Sequence, residues 1–93
     1  MRMYVIVDSQ YPAEYRAVQG GHALAAYMLK YPDSVWKNET LIYLKTPDLL
    51  RWKDKLEFIQ KDFAYFVEPD VGNKITALAT VDSGKMFSRL ELN

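Results

Sequence analysis

The stretch Thr40-Leu41-Ile42-Tyr43-Leu44-Lys45-Thr46-Pro47-Asp48 decides the fold class. Residues 40–45 are mostly β-branched, aromatic and aliphatic, the composition of a strand. Thr46, Pro47 and Asp48 then read as an N-cap, an N1 proline and an acidic first turn, the expected start of a helix. Apolar residues follow at Leu49, Trp52, Leu56 and Ile59, with Lys53, Asp54, Lys55 and Glu57 mostly off that face, so the helix is predicted to run to about Lys61. A strand passing directly into a helix is the unit from which α/β folds are built.

The same alternation extends in both directions. Upstream, Met3–Val7 reads as a first strand that ends in the turn cluster Asp8-Ser9-Gln10. Pro12 suits the first turn of a helix, and Ala13–Lys30 carries an apolar stripe at Val18, His22, Ala25, Ala26 and Leu29. Pro32 ends that helix, because the residue before a proline is pushed out of the α region. Asp33–Lys37 is a candidate for one further helical turn. Downstream, Ala64–Val67 is the third strand, Pro69–Asn73 a turn and Ile75–Val81 the fourth strand. The segment Asp82–Asn93 fits a loop, a short strand or a partial helix equally well. The expected architecture is therefore α/β, a small mixed four-stranded sheet with helices packed on it in the order β-α-β-α-β-β. The two crossovers should be parallel and right-handed, and the last pair antiparallel.

With 93 residues the chain is expected to form one domain, 1–93. Lys and Arg number 12, as do Asp and Glu, and the zero net charge argues against a bulk nucleic-acid coat while leaving room for a local basic patch. The absence of cysteine excludes disulfides, thiolate metal sites and a cysteine nucleophile, and a single histidine speaks against a zinc site. No metal or cofactor is expected. No apolar run approaches the ~20 residues of a membrane span, and the early charges of the amino terminus do not fit a signal peptide. The expectation is a cytoplasmic protein with no membrane association.

In such a sheet, ligands bind beyond the carboxyl ends of the parallel strands. Asp8-Ser9-Gln10, the start of the first helix and Glu68-Pro69-Asp70 should converge there, with Tyr11 and Tyr15 placed to line a cleft. Inside the first helix, Gln19-Gly20-Gly21-His22-Ala23 carries two glycines at roughly 1 kcal/mol each relative to alanine. They require close approach of something, either the sheet or a ligand. His22 reads as a buried core histidine or as a catalytic one. Asp70 is a turn residue or a presented carboxylate, and Thr76 a strand residue or a hydroxyl beside it.

Taken together, Tyr15-Arg16-Ala17-Val18-Gln19-Gly20-Gly21-His22-Ala23, then Asp70-Val71-Gly72-Asn73-Lys74, then Thr76-Ala77-Leu78-Ala79 resemble the second, archaeal/eukaryotic-type family of peptidyl-tRNA hydrolases. That family has Lys-x-Ala-Ala-Gln-x-Ser-His-Ala on its first helix, then Asp-Ala-Gly-Arg-Thr, then a last strand beginning with Thr. The resemblance covers nearly the whole chain. It implies hydrolysis of the ester between a peptide and the tRNA ribose, without metal or cofactor. Carried over, Asp70 would activate water, Thr76 would support it, and Gln19 and His22 would shape the helix side. The implied catalytic set is Asp70, Thr76 and His22, and the implied substrate-binding set is Gln19, Tyr15, Arg16, Asn73 and Lys74. Tyr15 stands where the family has its lysine, Asn73-Lys74 where it has Arg-Thr, and the family's final helix is largely missing. The alternative reading is a catalytically inactive binding module of the same fold, recognising a nucleotide, an RNA or a protein. Partners implied are tRNA or a small nucleotide ligand, with a homodimer as a further expectation.

Overall fold

The first strand, β1 (Arg2–Asp8), is covered on both faces and on both edges. The computed structural model describes residues 1–93. Helix α1 (Ala13–Lys30) leads to β2 (Thr40–Thr46), and α2 (Leu49–Phe58) leads to β3 (Ala64–Glu68). A 3-10 turn (Pro69–Val71) precedes β4 (Lys74–Asp82), and β5 (Glu91–Leu92) closes the chain. The sheet order is β3-β4-β1-β2-β5. β1 and β2 pair in parallel, while β4 lies antiparallel between β1 and β3, so β1, β2 and β3 share one direction.

The two crossovers step in opposite directions across the sheet, so crossovers of one hand place their helices on opposite faces. Strand alternation divides the core accordingly. Met3, Val5 and Val7 join Ala23 and Tyr27 of α1, whereas Tyr4 and Ile6 join Leu49 and Leu56 of α2.

The mixed sheet and both helices agree with the sequence reading, but the sheet has five strands, not four. β5 is only two residues long, too short to show alternation, and pairs antiparallel with Leu44 and Lys45. Its approach is fixed by the buried Phe87, whose ring packs 4.9 Å from Tyr4 and 5.3 Å from Trp52. Residues 33–37 add no helical turn; the loop is pinned by the Trp36 indole N–H, which donates to the Thr40 carbonyl at 2.8 Å.

Helix α2 begins and ends inside the expected limits. Thr46 closes β2, and its hydroxyl oxygen accepts the Asp48 N–H. At the far end Gln60 takes a left-handed conformation (φ 57°), Lys61 N–H bonds the Leu56 carbonyl and Gln60 N–H bonds that of Glu57. That pair of bonds is a Schellman stop.

The largest correction concerns the face of α1. Its buried residues are Gln19, Gly20, Ala23 and Tyr27, whereas Val18 (58% exposed), His22, Ala25 and Leu29 (83%) lie on the outside. Close approach outweighs hydrophobicity here, because a Cβ at Gly20 would stand 2.5 Å from the Tyr43 ring and 3.0 Å from Val5. Helix and strand meet where a side chain is absent. No helix is long and apolar enough to cross a membrane.

Candidate functional site

Tyr15, Gln19 and His22 are spaced by four and three residues and so share one side of α1. That side faces β3 and the start of β4. Phe66 and Glu68, two apart on β3, project toward it: the His22 ring stacks on Phe66 with centroids 4.3 Å apart, and Gln19 Nε2 donates to Glu68 Oε2 at 3.0 Å. Thr76 reaches the same place through an irregularity in β4. Phe66 pairs with Ala77 and Val67 with Ile75, which leaves Thr76 as an extra residue. A bulge of this kind re-aims a side chain. The Thr76 hydroxyl consequently donates to Gln19 Oε1.

Gln19 is thus a clamp in the wall between helix and sheet. It is 2% exposed, and its amide ties Thr76 to Glu68. Asp70 lies two residues beyond Glu68 and is exposed; its backbone N–H donates to Glu68 Oε1 at 3.3 Å. The position follows from the turn, in which Gly72 (φ 78°) and Asn73 (φ 59°) are left-handed, a conformation that glycine and asparagine accept.

Electrostatics follow from these contacts. The Gln19 amide, and then the Asp70 N–H, hold the Glu68 carboxyl below the usual glutamate range, with His22 adding in the same direction. Burial pushes the Tyr15 phenol up, and the neighbouring Glu68, Tyr11 and Asp70 reinforce the shift. Tyr15 therefore stays a neutral O–H donor. Its hydroxyl is covered from solvent and has no hydrogen-bond partner, alone among the buried side-chain polar atoms. Such an orphan calls for an explanation.

A pH dependence follows from Glu68. A carboxyl whose folded pKa is depressed adds stability above its unfolded value and loses it as pH falls through the folded one. Glu68→Gln is expected to be less stable than wild type at pH 7, with the gap closing as pH falls below the ordinary glutamate value of about 4.3. Urea unfolding at pH 7 and at successively lower pH measures it, and a gap that does not change with pH would contradict it. Asp82 keeps its own acid sensitivity in both proteins. Burial alone would raise its carboxyl, but Lys61 at 2.9 Å and the Gly84 N–H hold it low.

Not all the expected site residues come together. Tyr15, Gln19, His22, Asp70 and Thr76 lie along the α1 side. His22 is exposed rather than buried, since it lies on the outward stripe of α1 with its ring over Phe66. Asn73 and Lys74 lie on the α2 side, in a cleft of ≈ 460 Å³ with Asp8, Gln10, Tyr11 and Leu49. Tyr11 joins the two halves, its ring 5.1 Å from that of Tyr15. Within the cleft Asp8 is nearly buried and accepts both the backbone and the side-chain N–H of Gln10. Arg16 bonds within the chain, Nε to Asn93 Oδ1 and NH1 to the Tyr11 carbonyl, both 2.6 Å.

Glu68 is the site carboxylate that the sequence reading left out of its residue sets. Its one signal was position, the last residue of a strand aimed at the ligand end. No group of three or more His, Asp or Glu side chains is arranged to hold a metal ion. Compared with known proteins, the chain matches no family model and no curated protein.

Proposed function

We propose that the chain is a peptidyl-tRNA hydrolase-like protein that cleaves the ester between a peptide and the tRNA ribose, at the junction of α1, the 69–73 turn and β4. The observation that carries this reading is the orphan Tyr15 hydroxyl, held beside Glu68 and Asp70 at the position where the resembled family has its lysine. A neutral phenol can do part of a lysine's work, because a fixed donor aimed at a developing oxyanion stabilises the charge as it forms.

In this scheme Asp70 accepts a proton as water attacks the ester carbonyl carbon. Tyr15 donates a hydrogen bond to the resulting oxyanion. Collapse of the tetrahedral intermediate breaks the bond to the ribose oxygen, which takes the proton back from Asp70. The products are a peptide carboxylic acid, which then loses its proton to water, and a tRNA with a free ribose hydroxyl. Thr76 and Gln19 hold Glu68 in place, and Glu68 in turn receives the Asp70 N–H and fixes the turn. Asn73 and Lys74 offer contacts to the nucleotide in the neighbouring cleft.

A second reading, a binding module without turnover, draws support from Arg16, the cation next to the lysine position, which is bonded to Asn93 and Tyr11. Release of peptide from a purified N-blocked aminoacyl-tRNA separates the two. Multiple turnovers by the wild-type chain support the hydrolase. A folded wild type that binds this substrate and leaves it intact supports the module.

A further inference from the structure

Four of the cations that the ester chemistry does not use, Lys45, Arg51, Lys55 and Arg89, are gathered on the α2 side. Arg51, Trp52, Lys55 and Arg89 line a groove of ≈ 480 Å³ together with Asp48. Arg89 also borders an adjoining hollow of ≈ 350 Å³ with Ser9, Lys45, Pro47, Leu90 and Glu91. The wall therefore carries four cations against two carboxylates, in a chain whose net charge is zero.

Three of the four charges are also unspent. The ion pairs of the chain are Lys45–Glu91, Lys53–Asp54, Lys53–Glu57 and Lys61–Asp82, so Arg51, Lys55 and Arg89 have no carboxylate partner. The groove has a defined floor. Trp52 packs against Phe87, and Lys55 Nζ sits 4.8 Å from the Trp52 ring centroid, which steadies a long side chain. Its direction is informative as well. It runs from the flank of α2 to Ser9, next to Asp8 of the cleft that holds Lys74. Guanidinium groups fork onto phosphate oxygens, and a file of cations leading into a cleft fits a single polyanionic strand.

We infer that this groove binds the phosphate backbone of an RNA strand and delivers its end to the cleft at the carboxyl ends of β1, β2 and β3. This deepens the proposed function by naming how the tRNA is held. It is tested without the ester, so the two can fail separately.

The probe is deacylated tRNA, with affinity followed by fluorescence anisotropy as monovalent salt is varied. Wild type should bind with a steep salt dependence. The triple variant Arg51→Ala/Lys55→Ala/Arg89→Ala should bind at least about tenfold more weakly, its log–log salt slope lower by about 2 to 3. Lys37→Ala, an exposed lysine in the loop before β2, should bind as wild type. The three substituted side chains are at the surface, and an unchanged circular dichroism melt confirms that the triple variant folds. A wild type that binds no tRNA, a triple variant that binds like wild type, or binding through these residues to acidic phospholipid vesicles instead of RNA would each overturn the inference. Normal tRNA binding without peptide release would leave it standing and remove the hydrolase.

Discussion

Asp70→Ala is expected to lower peptide release from N-blocked aminoacyl-tRNA by about two to four orders of magnitude, the usual contribution of a general base. The loss should fall on kcat, with KM little changed, because Asp70 is assigned to proton transfer rather than to holding the RNA. The substitution is also structurally mild. Asp70 is exposed, and the contact it makes to Glu68 uses its backbone N–H, which alanine retains. A folded variant that has lost turnover thus reports on chemistry. Turnover within a few fold of wild type would remove Asp70 from the mechanism and return the role of base to Glu68, the other carboxylate beside Tyr15.

The second large effect is on stability, and it separates two neighbouring glycines. Gly20→Ala gains helix propensity of about 1 kcal/mol, yet its new methyl would lie 2.5 Å from Tyr43 Cε2 and 3.0 Å from Val5 Cγ1. Val5 is fully buried in the central strand and cannot withdraw, so helix and sheet must part. Overpacking of this kind costs about 1–3 kcal/mol, so the net loss after the gain in propensity is up to about 2 kcal/mol, and each kcal/mol lowers the melting temperature by roughly 4–8 °C in a domain of this size. Gly21→Ala meets nothing within 4 Å and should stabilise by up to about 1 kcal/mol. Thermal melts of the two variants should therefore move in opposite directions. Two shifts of the same sign would contradict the packing described for α1.

Those glycines also show how far the sequence could be read. The four longer strands and both helices were legible, because the β-branched and aromatic run of β1 and the Thr46-Pro47-Asp48 start of α2 are local signals. The α1 face was not. Val18, His22 and Leu29 form the more apolar stripe, and periodicity selects them, but Gly20 and Ala23 are what the sheet admits. The glycines correctly signalled a close approach without saying from which side. β5 escaped because two residues carry no period; it is set by Phe87 and by Asn93, which bonds Arg16 and Tyr43.

For the site, the Gln19 and Thr76 positions could be picked out, but their direct bond could not. It depends on the β4 bulge, and a bulge leaves no mark when the residues around it are ordinary strand formers. Lys74 and Arg16 stood together with Tyr15 and Gln19 in the substrate-binding set that the resemblance implied. Lys74 falls instead into the α2-side cleft, and Arg16, one residue past Tyr15, turns about 100° away on the helix toward Asn93.

The arrangement of helix, bulge and carboxylates stands on the bond between Gln19 and Thr76, and a thermodynamic cycle measures that bond directly. Urea unfolding at pH 7 would compare wild type, Gln19→Leu, Thr76→Val and the double variant. Each single substitution strands a buried polar partner and should cost about 1–3 kcal/mol. The double variant removes both ends of the bond, so it should cost less than the two singles together by about 1–2 kcal/mol, the donor lost by Glu68 being common to Gln19→Leu and the double. Costs that add to within about 0.5 kcal/mol would mean that the two side chains do not interact, and the clamp between α1 and β4 would have to be abandoned.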